Sequence, residues 1–240
     1  IEITKGSDNP YRIALIPFKG ESISAKQANE IVKNDLIRSG EFYIFDEKSL
    51  IAYPTNEDDI NYSDWRLINA DYLLLTTVVE SNSGIEARYE IFDVRKKSKI
   101  RSSKVYGVTN NIRQLSHYVS DGIYEAITGI QGVASTKILY VSQSNDFDTP
   151  YKLYVADADG ANEQLLVKSP EPIISPAWSP DSKKVAYVSF ETGIANVYIQ
   201  DISSGERQSI IKKRCLTCIS NEQISSPSWS PNGKYLSLTL

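Results

Sequence analysis

The sequence predicts an α/β N-terminal domain, residues 1–132, followed over residues 133–240 by part of an all-β propeller: two blades and the start of a third. Two observations predict it. Helical and strand periods alternate up to Gly132, and beyond that point helical periods vanish and short strand-like runs repeat one another. At 240 residues the chain has room for two ordinary domains, and its 41% hydrophobic, 23% charged composition is that of a folded, water-soluble chain.

In the first region, YRIALIPF (residues 11–18) is a nearly continuous apolar run, as a strand buried on both faces requires. A helix follows. Ala28, Ile31, Val32, Asp35, Leu36 and Ser39 recur three or four apart, with Ser24 as candidate cap and Gly40 as the residue just past the C-terminus. Residues 42–45 read as a second strand. The polar stretch YPTNEDDINYSD leads to a short helix over 65–69, and YLLLTTVVE (72–80) is a β-branched strand. Residues 85–94 alternate and pair with 99–107 across the basic turn RKKS. Ile112, Leu115, Val119, Ile123, Ala126 and Ile127 then form the apolar face of a closing helix capped by Asn110 or Asn111.

The second region is defined by its copies. KILYVS from Lys137 returns as KVAYVS from Lys184, 47 residues later; LYVAD ending at Asp157 returns as VYIQD ending at Asp201, 44 later; PAWSPDSK (176–183) returns as PSWSPNGK (227–234), 51 later. A repeat in the forties made of about four strands is a propeller blade, a unit that buries its faces only against its neighbours. Asp157–Gly160 and Ser203–Gly205 read as hairpin turns, Ser-Pro-Asp/Asn as the turn between the first two strands of a blade, and Trp178 and Trp229 as contacts between blades.

Chemistry is sparse. The single histidine, His117, falls in the closing helix without a serine elbow anywhere in the chain, so it reads as structural and the chain as a non-enzyme. Cys215 and Cys218 form one Cys-x-x-Cys, two ligands short of a structural zinc site. Asp157, Asp159, Gly160 and Asn162 lack the spacing of a calcium loop, and no phosphate-binding glycine motif is present. No cofactor and no metal are expected. A net charge of -4 and pI near 5.2 argue against nucleic acid as a partner, and no apolar run reaches membrane-spanning length.

The order of these pieces is specific. A buried strand ending in IPF, a helix with DLIRSG, the segment HYVSDGIYEAITGIQGVASTKILYVSQ and the WSPD/WSPN repeats together resemble the TolB family of the Tol-Pal system over essentially the whole chain. The resemblance implies a six-bladed propeller, so the native protein is expected to continue beyond Leu240, with a leader already removed and residence in the periplasm. It implies an adaptor, monomeric and not membrane-spanning, that supports outer-membrane integrity and constriction. A Pal-like peptidoglycan-associated lipoprotein is expected at the propeller mouth, through Glu171, Pro172, Ile173, Ile174, Ser175, Gln223, Ile224, Ser225 and Ser226. A TolA-like inner-membrane protein is expected at the N-terminal segment Ile1, Glu2, Ile3, Thr4 and Lys5. The alternative is the propeller portion of a prolyl-oligopeptidase-like hydrolase lacking its catalytic domain.

Overall fold

The computed structural model describes residues 7–20, 23–81, 84–108, 111–210 and 225–239. The chain divides into two compact units between Ser135 and Thr136.

The first unit is a five-stranded mixed sheet. Strand β1 (Tyr11–Leu15) lies between the parallel strands β2 (Phe42–Ile44) and β3 (Tyr72–Ser81), and β3 continues as an antiparallel meander into β4 (Gly84–Asp93) and β5 (Ser98–Gly107). β1 is shorter than the apolar run because Pro17 cannot donate to a ladder. Its side chains do divide between two cores, as a doubly covered strand demands. Ile13 and Leu15 pack beneath the helices α1 (Ile23–Arg38) and α3 (Ile112–Thr128), while Ala14 and Ile16 join Trp65, Leu73 and Phe92 on the opposite face.

α1 begins at Ile23, so Ser24 sits inside the first turn and not at its cap. Both long helices end on glycines with left-handed backbone, Gly40 at φ 75° and Gly129 at φ 75°, where a side chain would be strained. The Asn111 side chain accepts the Gln114 amide proton and so caps α3. The short helix α2 spans Tyr62–Leu67, starting three residues earlier than the sequence predicts, because the Asn61 side-chain Oδ1 accepts from the Ser63 N–H and starts the helix there.

α3 crosses β4 closely at Gly122. A methyl group there would overlap the buried Tyr89 hydroxyl and fall 2.9 Å from its Cζ. Gly122→Ala is therefore expected to destabilise the first unit by about 1–3 kcal/mol through overpacking, reversing the gain of about 1 kcal/mol that alanine brings to an open helix position. Urea denaturation reads the sign directly.

The second unit holds three stacked sheets. The first comprises β6 (Lys137–Gln143), β7 (Tyr151–Asp157) and β8 (Gln164–Ser169). The second comprises β9 (Ile173–Trp178), β10 (Lys184–Ser189), β11 (Asn196–Asp201) and β12 (Arg207–Ser209), and the third β13 (Ser225–Trp229) and β14 (Leu236–Thr239). All ladders are antiparallel. These are propeller blades without a closed ring among the described residues.

The sequence copies are structural copies. Tyr140 and Tyr154 face each other across β6 and β7 with rings stacked at 5.5 Å, and Tyr187 and Tyr198 do the same across β10 and β11 at 5.7 Å. In the first Trp-Ser-Pro turn, Lys184 N donates to Ser179 Oγ at 2.9 Å and Lys183 N to Asp181 Oδ1 at 3.1 Å. In the second, Tyr235 N donates to Ser230 Oγ and Lys234 N to Asn232 Oδ1, both at 3.0 Å.

Contacts between sheets explain why no blade could stand alone. Leu153 and Val167 of the first share a core with Ile173, Val185 and Tyr187 of the second, with Trp178 packed against it. Leu236 and Leu238 of the third pack on Val188 and Val197, and Trp229 Nε1 donates to the Ala177 carbonyl at 3.3 Å. Both tryptophans thus lie at contacts between blades, as expected.

The hairpin turns follow Asx geometry. Asp201 accepts from Ser203 and Ser204, and these bonds, the Ser204 N–H first and the Ser203 hydroxyl next, lower its pKa from 3.8 to about 2. A depressed folded-state value means that the contribution is complete above the unfolded value near 3.8 and lost as pH falls towards 2. Amide exchange at Ser203 and Ser204 is expected to lose protection across that window, beyond its intrinsic pH dependence, and an Asp201→Asn variant to lack the transition.

Candidate partner-binding surface

One mouth of the blade stack is built from two kinds of connection. The loop from β8 to β9 carries Glu171 and Pro172, and the hairpins β6–β7 and β10–β11 end at the same level, since Ile173 pairs with Ser189 at the end of β10. Two sets of bonds fix the β8–β9 loop. Ser169 Oγ donates to the Glu171 carbonyl at 2.7 Å and accepts from its N–H at 3.1 Å, while the Pro172 carbonyl accepts from Phe190 N at 3.1 Å.

The residues expected to face a partner separate by strand register. Ile174 is 37% exposed, whereas Ile173 is only 3% exposed and packs into the core between the first two blades. Ile173 therefore does not present its side chain at the mouth, a correction that follows from the alternation of faces along β9. Ser175 has φ 51° where the β9–β10 ladder shifts register, and Ser226 has φ 54° at the matching shift between β13 and β14. The bulge is thus repeated from blade to blade, and its effect is to re-aim the strand entering each blade. Ser225 begins β13. Gln223, Ile224, the Cys215–Cys218 pair and the segment Ile1 to Lys5 lie outside the described residues.

The group with the greatest chemical potential in the first unit is buried. His117 Nδ1 lies 2.7 Å from Asp35 Oδ2, Ser120 Oγ donates to the same oxygen at 2.8 Å, and Arg38 reaches Asp35 Oδ1 at 2.5 Å. This is not a nucleophile arrangement, because the serine hydroxyl is spent on the carboxylate and on the Ser116 carbonyl and is not bonded to the imidazole. It ties α1 to α3. His117 is 2% exposed, in keeping with a structural histidine.

Comparison with known proteins agrees with this architecture. Residues 1–100 match the TolB amino-terminal domain and residues 124–240 the TolB beta propeller domain. The "Tol-Pal system protein TolB" of Alcanivorax borkumensis is 36% identical over 242 residues, a match covering 100% of this chain and 54% of that protein. The chain belongs to the TolB family. The TolB of a Marinomonas strain is 39% identical over 90% of this chain and 51% of its own length. The crystal structure of TolB from Acinetobacter baumannii superposes with a TM-score of 0.84 at 36% identity, covering 98% of this chain and 56% of that one. The chain thus spans about half the length of the curated TolB relatives it matches.

The sequence misses two features of the TolB blades described here. The stacked tyrosine pairs are implicit in the KILYVS and LYVAD copies, but the facing partner depends on hairpin register. Phe147 and Ile194, both exposed apolar residues, lie in the β6–β7 and β10–β11 hairpins 47 residues apart, but the strands that follow repeat at 44, so the first hairpin is three residues longer and the copies do not align the two side chains.

Proposed function

We propose that this TolB-family chain is a periplasmic protein-binding adaptor of the Tol-Pal system that acts by association and without bond chemistry. The propeller mouth around Glu171, Pro172 and Ile174 receives a Pal-like lipoprotein, and the segment Ile1 to Lys5 receives a TolA-like inner-membrane protein. Linking the two membranes in this way supports outer-membrane integrity and constriction during division. The adaptor works as a monomer.

The observation that supports this reading best is the fixed, twice-bonded β8–β9 loop at the mouth of a repeated blade, since a rigid loop on a scaffold is suited to recognition. Among the described residues no helix is long and apolar enough to cross a membrane, which fits an adaptor that reaches membranes through its partners.

Isothermal titration of the soluble domain of the Pal-type lipoprotein into the full chain tests the reading. Saturable one-to-one binding is the expected result; no heat and no complex by sedimentation would end it. Coupling is expected between the two partners, so that saturation with the Pal-type domain changes the TolA-type affinity, and reciprocally by the same factor. Identical TolA-type affinities with and without the lipoprotein domain would dispose of the coupling.

A further inference from the structure

The chain passes from the first unit to the second with almost no slack. Ser135 is still bonded within the first unit, and the next residue already belongs to the second, since the Thr136 carbonyl accepts from Ala158 N at 3.0 Å just before β6 begins. The Ser135 end is held from α3. Asp121 Oδ1 accepts from Ala134 N at 2.7 Å and Oδ2 accepts from Ser135 N at 3.0 Å, so one carboxylate closes on two successive amides.

A helix end does not require this return. The end of α3 at Thr128 is complete once Gly129 N reaches the Glu125 carbonyl at 2.8 Å and Ile130 N reaches the Thr128 hydroxyl at 3.1 Å. Asp121 lies about two turns further back, so the segment beyond the cap doubles back along α3 to meet it. Gly132 lets the segment lie close. It is buried, and a Cβ there would overlap the Asp121 carboxylate and fall 2.5 Å from its Cα. The carboxylate and the glycine thus form one clamp, built entirely within the first unit, and the buried Asp35 cluster uses neither residue.

The consequence is one of reach. With both amides held, the chain crosses between the units over the Ser135–Thr136 link alone. With the clamp open, the cap bonds at Gly129 and Ile130 remain, and residues 131–135 as a flexible run have a root-mean-square span of about 12 Å.

We infer that Asp121 and Gly132 limit how far the second unit can move on the first, and that opening their clamp turns a short pivot into a loose tether. This device is independent of the partners proposed above.

The full chain carries the test, with Cys215 and Cys218 replaced by serine and spin labels attached through Lys48→Cys and Glu206→Cys, at two exposed positions, one in each unit. Dipolar spectroscopy reads the spread of label-to-label distance, and hydrogen exchange reads the amides. Asp121→Ala removes the acceptors, whereas Gly132→Ala keeps the carboxylate and forces the segment off it. Ile130→Ser, at an exposed side chain of the same segment, is the control. In both clamp variants exchange at Ala134 and Ser135 is expected to rise roughly tenfold or more, and the distance spread to about double. The parent and Ile130→Ser are expected to keep a narrow distribution. A merely structural Asp121 would loosen α3 itself, so exchange rising equally over Leu115 to Ile123 overturns the inference. Unchanged exchange at the two amides, a spread already broad in the parent, or faster exchange with an unchanged spread overturns it as well.

Discussion

Asp35→Ala is expected to cost the first unit about 3 kcal/mol or more, close to the upper end of single-substitution effects. The carboxylate is buried and is shared by His117, Ser120 and the guanidinium of Arg38, so its removal leaves polar groups of both helices facing a void. Asp35→Asn keeps the shape and one acceptor oxygen, and a smaller loss of about 1–3 kcal/mol is expected. The contrast matters more than either value. Equal losses in the two variants, measured by urea denaturation, would show that packing and not the carboxylate holds α1 against α3.

In the second unit the largest effect is expected from Tyr187→Ala, about 3–5 kcal/mol by the precedent of large aromatic truncations. Tyr187 is fully buried, stacks on Tyr198, donates its hydroxyl to Gln200 Oε1 at 3.2 Å and belongs to the core joining the first two blades. Gln200 in turn donates to the Leu166 carbonyl at 3.2 Å, so truncation also disturbs a polar link to the first blade. Tyr187→Phe removes only the hydroxyl bond to Gln200 and is expected to cost about 1 kcal/mol. Tyr140→Ala is expected to cost less than Tyr187→Ala, since Tyr140 at the matching position is only partly buried.

The parts of the fold that were legible in the sequence are those carried by local period or by copying. Apolar spacing located α1 and α3, β-branched composition located β3, alternation located β4, pairing across the RKKS turn located β5, and the Trp-Ser-Pro copies located the blade turns to the residue. What was not legible depends on partners distant in the chain. Asp35 and His117 are 82 residues apart, and nothing in either helix marks them as a pair. Ile173 and Ile174 are the same residue type, and only the register of β9 against β10 decides that one is buried and the other faces outward. The α2 boundary failed for a local reason: Asn61 lies in a polar stretch with no period to flag it, yet its side chain starts the helix.

The three tryptophans are divided between the units, with Trp65 in the first and Trp178 and Trp229 in the second. Trp65 is 1% exposed in an apolar core, whereas the other two are partly exposed. The wild-type chain therefore carries its own optical labels: a blue-shifted emitter that reports on the α/β unit, and a redder pair that reports on the blades. A Trp65→Phe variant leaves only the redder pair, so melting of either half can be followed by colour without attaching a dye.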